Sequence, residues 1–226
     1  MKILAINGSY RGNNGFTSAC IERLLQGATE AGADCETISL AGMKINACTG
    51  CQVCHTESHL LKCIFDEKDD TNVIFGKMRD ADIIIFATPV YIFSMSSLLK
   101  KLLDRLNSTG DSSRLTVSPK GLFFHHIDQA LCSKPFVTLI CCDNMEDETS
   151  RNIIDYFRTY ARFMDAKQVG TIIRKSGKLI GHGIDVSKEK LFPKIADVYK
   201  AINDAGKELA NTGKISSSTC KSVSES

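Results

Sequence analysis

The chain has 226 residues, of which 43% are hydrophobic and 24% are charged. Its length suits one full-sized domain, and its composition is that of an ordinary globular protein, which excludes intrinsically disordered, collagen-like and membrane-embedded classes. The 28 Lys and Arg residues against 26 Asp and Glu residues give a formal charge of +2. Proteins that bind nucleic acid are usually far more basic, so we expect neither nucleic acid nor a membrane among the partners.

The amino-terminal residues and the cysteine count both bear on the cellular compartment. The first apolar run, residues 3–6, is too short for the core of a signal peptide, and no apolar run approaches the roughly 20 residues that cross a bilayer. We therefore expect a cytoplasmic protein. Thiols are kept reduced in the cytoplasm, so the ten cysteines favour metal or redox chemistry over a disulfide scaffold.

Short apolar runs and helical periodicities alternate along the chain. This alternation predicts an α/β fold in which helices cover both faces of a parallel sheet. The second strand is expected at an edge, and Thr17 or Ser18 is expected to cap the first helix. Strands are predicted at residues 3–6, 35–40, 82–87, 136–142 and 169–173, and apolar helical stripes at residues 21–28, 95–106, 153–164 and, after Pro193, 195–209.

Two segments fall outside the alternation. Residues 107–134 form an insertion that includes His125 and His126 and that we interpret as a lid or an oligomer contact, without choosing between them. Residues 211–226 hold six serines and few apolar side chains, so a flexible tail is predicted there. The predicted domain therefore covers residues 1–210.

The loop after the first strand, residues 7–18, leads directly into a helix. A helix N-terminus offers free backbone N–H groups and the positive end of the helix dipole to an anion, and Ser9, Arg11, Thr17 and Ser18 add side-chain donors. The loop lacks both the nucleoside triphosphate P-loop sequence and the dinucleotide fingerprint, which favours a monophosphate. The alternative is a plain strand-to-helix turn with a hydroxyl cap.

The loop after the third strand is the second candidate binding segment. In open α/β sheets, ligands lie outside the carboxyl ends of the strands where the winding direction reverses, and strands one and three flank that point in the order 2-1-3-4-5. Pro89 stiffens the loop and is expected to leave the N–H groups of Val90, Tyr91 and Ile92 free for a heterocycle. Tyr91 and Phe93 can cover a planar ring, although both can equally be core aromatics.

The motifs at residues 8–18 (GSYRGNNGFTS), 88–91 (TPVY) and 95–105 (MSSLLKKLLDR) resemble those of the NAD(P)H-dependent FMN reductase and iron-sulfur flavoprotein families. The resemblance implies a flavodoxin-like fold, FMN as cofactor, NADH or NADPH as electron donor, and a homodimer or homotetramer. The sequence departs from the family at Tyr10, where a proline is usual, and in the acidic loop at residues 142–146. The implied phosphate contacts are Ser9, Arg11, Phe16, Thr17 and Ser18, and the implied isoalloxazine contacts are Pro89, Val90, Tyr91, Ile92 and Phe93.

A dense run of cysteines follows the second strand. Cys48, Cys51 and Cys54 form a C-x2-C-x2-C motif, and eight residues separate Cys54 from Cys63. Three thiolates from one loop can converge on an iron-sulfur cubane that a fourth closes, and the iron-sulfur flavoproteins bind a [4Fe-4S] cluster through a similar run, usually with a shorter final gap.

Two other interpretations of these cysteines stay open. The thiols can be free of metal, or they can bind zinc, alone or with His55 or His59, although structural zinc sites more often use two separated cysteine pairs. Cys20, Cys35, Cys132, Cys141 and Cys142 are interpreted as small core residues, and Cys220 lies in the predicted tail.

The sequence thus predicts an FMN-dependent oxidoreductase. Electrons would pass from NAD(P)H to a quinone, a flavin, a nitro or azo compound or, if a cluster is present, to a one-electron partner. The cofactor carries this chemistry, so no protein acid or base is assigned. The alternatives are an electron carrier of the flavodoxin or ferredoxin kind and a zinc- or thiol-based redox sensor.

Three further features have weaker interpretations. Asp104 and Arg105 are interpreted as an ion pair at a helix end. Arg174, Lys175 and Lys178 are interpreted as a solvated basic face that could meet a nicotinamide cofactor's phosphate. His182, like the two histidines of the insertion, is interpreted as a loop residue.

Overall fold

The structure is a computed structural model that describes residues 1–117, 123–177 and 195–225. Its centre is a parallel sheet of five long strands in the order β2-β1-β3-β7-β8, which confirms the predicted flavodoxin-like order. The strands are β1 Lys2–Asn7, β2 Asp34–Ser39, β3 Ile83–Tyr91, β4 Ser94–Met95, β5 Gly110–Val117, β6 Phe123–Ile127, β7 Phe136–Cys141 and β8 Gln168–Arg174. The helices are α1 Phe16–Glu30, α2 Thr71–Asp80, α3 Ser97–Asp104, α4 Gln129–Cys132, α5 Glu148–Phe163, α6 Ile195–Thr212 and α7 Ser217–Glu225.

The helices form one layer on each face of the sheet. β1, β3 and β7 are buried on both sides, as expected for the continuous apolar runs of central parallel strands. One hydrophobic cluster joins the sheet to α2, α3 and α5, and a second joins it to α1, α6 and α7. The central strands therefore end at a common edge, with helices on either side of it.

The α1–α6 contact depends on two glycines. A Cβ on Gly27 would lie 1.9 Å from the carbonyl oxygen of Asn203, and a Cβ on Gly206 would lie 1.9 Å from that of Leu24. Both distances are far below van der Waals contact, so the two helix backbones approach more closely than any side chain permits.

The third strand is longer than predicted. It continues past residue 87 to Tyr91 and turns back into β4, with Val90 opposite Met95 and Tyr91 opposite Ser94. The segment expected to be an irregular loop is thus a β-hairpin with a two-residue turn. Part of the backbone that was expected to be free is paired within this hairpin.

The helix caps differ from the prediction at the start of α1. The Ser96 hydroxyl caps α3 by accepting from the Leu99 N–H at 3.2 Å. Gly15, rather than Thr17 or Ser18, occupies the cap position of α1, and it supplies no side-chain acceptor. The two hydroxyl residues lie inside the first turn because the helix begins earlier than its apolar stripe.

The insertion contains regular structure in its described part. β5 and β6 pair as an antiparallel hairpin with a register shift between Asp111 and Leu115, and the short helix α4 follows. Residues 118–122 and the side chain of His125 lie outside the description, and the role of this segment as a lid or an oligomer contact stays a prediction.

The flexible tail predicted for residues 211–226 is wrong for its described part. α6 runs to Thr212 and α7 follows, with Val223 fully buried. The serine-rich composition does not indicate this short helix, in which one apolar side chain, that of Val223, packs in the same cluster as the sheet. The domain boundary predicted at residue 210 therefore falls inside α6, two residues before its end.

Lys178, His182 and Pro193 lie outside the described residues. Within the described ranges, no helix combines the length and the apolar character that crossing a membrane requires.

Candidate functional site: a cleft at the sheet edge and a cysteine cavity

A cleft of about 360 Å³ opens at the carboxyl ends of β1, β3 and β7. Its volume lies within the range of about 300–1,000 Å³ that is usual for small-molecule sites. Nine of the ten residues predicted to bind a cofactor line it. The lining residues are Ser9, Arg11, Phe16, Thr17, Pro89, Val90, Tyr91, Ile92, Phe93, Cys141, Cys142, Asp143, Asn144, Thr149 and Gly177.

The loop after β1 is held by a compact hydrogen-bond network. The Asn7 carboxamide accepts from the Ser9 N–H at 3.0 Å and donates to the Gly12 carbonyl at 3.1 Å. The Ser9 hydroxyl accepts from the Arg11 N–H at 3.2 Å, and Gly12 has a positive φ of 54°. The loop therefore holds Ser9 and Arg11 at the mouth of the cleft.

The first turn of α1 supplies the donors at this end of the cleft. Because Gly15 offers no side-chain cap, the first-turn N–H groups are open to an external acceptor. A Cβ at Gly15 would lie 3.1 Å from both the Ser9 hydroxyl and the Arg11 Cβ, so a larger residue would crowd the cradle. The Arg11 guanidinium lies 5.5 Å from the Phe16 ring centre.

Ser18 is the predicted residue that does not reach the cleft. It is 3% exposed, and its hydroxyl donates to Glu22 at 3.0 Å. One helix position separates it from Thr17, and that step of about 100° turns the side chain away from the wall that Thr17 lines.

The β3–β4 hairpin forms the apolar wall. Ile92 and Phe93 at its tip have φ angles of 45° and 60°, values that are a genuine outlier for a β-branched residue such as isoleucine. The Asn152 carboxamide donates to the Phe93 carbonyl at 3.1 Å. The turn therefore presents large apolar side chains where Asn-Gly is usual, and such strain clusters at functional sites.

The opposite wall was missed by the sequence analysis. It consists of the end of β7 and the following loop, with Cys142, Asp143 and Asn144, and it includes Gly177, on which a Cβ would lie 3.1 Å from the Phe16 ring. Desolvation by burial, reinforced by Cys141, raises the pKa of Cys142 to about 11. The strand order could have indicated this wall, because β7 lies next to β3 and ends at the same edge of the sheet.

The basic face predicted after β8 is wrong for Arg174. Arg174 is 4% exposed, and its Nη1 donates to the Val223 carbonyl at 2.8 Å. Lys175 pairs with Asp147 at 2.6 Å. The tail helix covers the guanidinium, an arrangement that the charge of the segment alone does not suggest.

The four predicted metal-binding cysteines line a second, smaller cavity. Cys48, Cys51, Cys54 and Cys63 all face it. Burial raises the pKa of Cys54, and its three fellow cysteines add to the rise. Cys51 is exposed, and a hydrogen bond from the Val53 backbone lowers its pKa. The loop thus brings the four thiols to one place.

The spacing of these thiols bears on what they can bind. Within the described residues, no three His, Cys, Asp or Glu side chains are close enough to bind a single metal ion. Four cysteines are the usual donor set of a [4Fe-4S] cluster, and structural zinc sites can also consist of four cysteines. The cavity measures about 20 Å³, which is smaller than a cubane, and Gly50 at the loop tip has open space around it.

Arg105 forms the inner wall of this cavity, which corrects its interpretation as a helix-end partner of Asp104. Asp104 pairs with Lys100. Arg105 is 1% exposed and donates through Nη1 to Asp69 at 2.5 Å and Thr71 at 3.1 Å. It is one of the largest fully buried side chains among the described residues.

Comparison with known proteins identifies similarities in sequence. A family model described as NADPH-dependent FMN reductase matches residues 1–122. An iron-sulfur flavoprotein of Methanocaldococcus jannaschii is 41% identical over 106 residues, which cover 46% of this chain and 51% of that protein. An iron-sulfur flavoprotein of Methanosarcina thermophila is 37% identical over 106 residues, which cover 46% and 52%. The chain matches about half the length of these curated relatives.

Solved structures share the fold over nearly the whole chain. An NAD(P)H:quinone oxidoreductase from Methanothermobacter marburgensis has a TM-score of 0.63 at 14% identity, covering 95% of this chain and 99% of that one. An FMN-dependent NADH-azoreductase from Bacillus anthracis, solved in complex with FMN, has a TM-score of 0.61 at 13% identity, covering 93% and 99%. At these identities the likeness concerns the fold.

Proposed function

Because the chain belongs to the NADPH-dependent FMN reductase family, we propose that it is an FMN-dependent oxidoreductase that takes electrons from NADH or NADPH and passes them to a small acceptor. The observation that carries the proposal is the single cleft shared by the β1 loop and the β3–β4 hairpin. One wall suits a phosphate and the other suits a planar ring, and the two lie on the same 360 Å³ cavity.

The phosphate end is assigned to the β1 loop and the start of α1. The first-turn N–H groups and the helix dipole attract the anion, and Ser9, Arg11 and Thr17 add side-chain donors. Ser18 holds Glu22 instead, so its part is to stabilise the first turn of α1.

The ring end is assigned to the β3–β4 hairpin and the loop after β7. Pro89, Val90 and Tyr91 supply one edge, and Tyr91 and Phe93 are 43% and 56% exposed. Asp143 and Asn144 place polar groups on the facing wall. A ring held between these walls keeps one side accessible to a second planar molecule.

When bound, FMN supplies hydride acceptance from the nicotinamide and onward electron delivery. The protein groups bind and orient it. The raised pKa of Cys142 keeps its thiol neutral at physiological pH, so Cys142 does not act as a base there. We assign no catalytic acid or base from the chain.

The acceptor class we favour is a flat, small molecule such as a quinone, a free flavin, or a nitro or azo compound. An exposed aromatic wall suits such acceptors, and the quinone and azo reductases above share the fold. A one-electron partner protein is the acceptor if the cysteine loop holds a [4Fe-4S] cluster, which would supply single-electron transfer.

A homodimer or homotetramer is also part of the proposal. Large apolar side chains are exposed beside the cleft, with Tyr10 at 54%, Ile92 at 90% and Met145 at 62%. Light scattering on purified protein tests this, and a monomer at micromolar concentration would contradict it.

The test of the FMN site uses two matched variants. The double variant Arg11→Ala with Thr17→Ala removes donors worth about 1–3 kcal/mol each, so the FMN dissociation constant should rise at least about 30-fold. Ser18→Ala should retain FMN, because Ser18 does not line the cleft. Flavin fluorescence on titration measures both constants.

Two outcomes would contradict the proposal. Unchanged FMN affinity in the double variant would remove the assigned phosphate site. Purified protein that binds FMN yet oxidises no NADH or NADPH with quinone acceptors would favour an electron carrier instead.

A further inference from the structure

The side chain of Arg105 has hydrogen-bonding capacity that the described residues do not use. Its Nη1 donates to Asp69, Thr71 and, at 3.3 Å, the Asn46 carbonyl. Its Nε and Nη2 have no hydrogen-bond partner among the described residues. The nearest carboxylate to Nη2, that of Asp66, lies 3.6 Å away, which is too long for a hydrogen bond.

Such an arrangement requires an explanation. Leaving a buried donor unpaired costs about 1–3 kcal/mol, and more for a charged group, so buried polar atoms are almost always satisfied. Arg105 is 1% exposed, which leaves little contact with water. The cavity beside it is lined by Cys48, Cys51, Cys54 and Cys63, whose sulfur atoms can accept hydrogen bonds.

We propose that Arg105 is a positioning residue for an anionic iron-sulfur cluster in the cysteine cavity, donating to its sulfur atoms and raising its reduction potential. This inference rests on the cluster named in the proposed function. A cluster held by four thiolates has a net negative charge, and one-electron reduction makes it more negative without forming or breaking a bond. A fixed buried cation stabilises the reduced form more than the oxidised form, and charge and hydrogen bonds to sulfur are among the factors that set cluster potentials.

Asp69 moderates the charge of Arg105. Its side chain is fully buried beside the guanidinium. Burial opposes ionisation of this carboxyl, yet hydrogen bonds from the Asn46 and Thr71 backbone N–H groups hold its pKa below the usual value. Asp69 is therefore ionised and partly neutralises the guanidinium. Removing the aspartate charge should have the opposite effect on the potential to removing the arginine charge.

The experiment compares Arg105→Met, Asp69→Asn and the double variant that combines them, using anaerobically purified full-length protein. Arg79→Met is the matched control, because it removes one positive charge from a surface pair with Asp128. Iron and acid-labile sulfide are counted first, circular dichroism checks folding, and a redox titration followed by electron paramagnetic resonance gives the potential.

For Arg105→Met we expect the equilibrium constant for one-electron reduction to fall about tenfold, which corresponds to about 59 mV. For Asp69→Asn we expect it to rise, and for Arg79→Met to stay within about twofold, because exposed charges are screened. Arg105→Met leaves Asp69 buried without its partner and can fail to fold. In that case the double variant, compared with Asp69→Asn alone, must still show the fall.

Two results distinguish a failure of the cluster proposal from a failure of the Arg105 role alone. Wild-type protein without iron or sulfide overturns the cluster and the Arg105 inference together. A wild-type cluster whose potential is the same without Arg105, or shifts in the same direction in Arg105→Met and Asp69→Asn, overturns only the role of Arg105 and leaves a structural one.

Discussion

At the scale of single residues, Cys51 of the cysteine cavity and Cys142 of the cleft have pKa values shifted in opposite directions. A backbone hydrogen bond from Val53 lowers the pKa of the exposed Cys51, whereas burial raises that of Cys142 to about 11. The thiolate is the reactive form, so a lower pKa gives more reactive species at a given pH.

We therefore predict that iodoacetamide at pH 8 modifies Cys51 at least about tenfold faster than Cys142 in cluster-free protein. The Cys142 rate should keep rising up to about pH 11, since its thiol loses its proton only there. Peptide mass spectrometry over time measures both rates, and Cys51→Ser should remove the fast phase. Equal rates at pH 8 would contradict the assigned environments.

The sequence predicted individual residues well where one chain segment forms one wall. Ser9, Arg11 and Thr17 lie together because a strand-to-helix turn fixes them locally. Ser18 could not be separated from Thr17 without the position where α1 begins. Gly177 could not be found at all, because only the folded sheet brings the end of β8 to the β1 loop.

Buried charged side chains are the second kind of feature that could not be predicted from the sequence at this scale. Arg105 and Arg174 have the composition of surface residues, yet they are 1% and 4% exposed. Their partners are 36 and 49 positions away in sequence. No periodicity reports such a contact, so both were interpreted as exposed ion pairs or a solvated face.

At the scale of elements, the close approach of α1 and α6 predicts that two Gly→Ala variants change the free energy of unfolding in opposite directions. Gly206→Ala should destabilise the fold by more than about 2 kcal/mol, because its Cβ would overlap the Leu24 carbonyl and overpacking is costly. Gly76→Ala is the control within α2, where nothing lies within 4 Å. That change should stabilise the fold by about 0.5–1 kcal/mol through helix propensity.

Denaturant unfolding followed by far-ultraviolet circular dichroism gives both free energies. Similar stabilisation by the two alanines would mean that α1 and α6 do not approach as described.

The hairpin tip allows a second prediction at this scale. Replacing Ile92 and Phe93 by Asn and Gly, the pair preferred in such turns, should relieve strain of about 1–3 kcal/mol and raise the melting temperature. The same change should weaken FMN binding, because it deletes the apolar tip from the cleft wall. Calorimetry and flavin titration measure the two effects, and a fall in melting temperature would show that the native tip is unstrained.

Elements were predicted from their length and apolar content. The stripe in α3 and the apolar run of β7 gave the right elements with ends shifted by a few residues. β4 has two residues and β5 is polar for most of its length, so neither has a periodicity that could be read. Each forms because it pairs with a neighbouring strand, β4 with β3 and β5 with β6.

At the scale of the whole molecule, the last helix belongs to the fold. Val223 is fully buried in the cluster that joins α1, α6 and the sheet, so Val223→Ala should cost about 1–3 kcal/mol of unfolding free energy. Lys221→Ala, which removes a surface pair with Glu225, should change it by less than about 0.5 kcal/mol. Thermal unfolding compares the two variants. If Val223→Ala left the stability unchanged, the result would support a flexible tail at residues 211–226 after all.

The two helix layers followed from the alternation of elements, and the strand order followed from the resemblance to flavodoxin-like proteins. The placement of the cysteine cavity did not, because the loop at residues 46–66 has no regular structure beyond short turns. Its position depends on Asp69, which accepts from the Asn46 N–H at 2.8 Å, and on Arg105 beneath it.

One helix runs between the cleft and the cysteine cavity. Ser96, the N-cap of α3, donates its N–H to the Thr88 hydroxyl at 2.9 Å, next to Pro89 of the cleft. The eight residues of α3 then lead into Arg105 at the cysteine cavity. An eight-residue helix is about 12 Å long. A chimera between relatives should therefore exchange residues 94–109 as one cassette, since a junction inside α3 would pair the cleft wall of one parent with the cysteine-cavity wall of another.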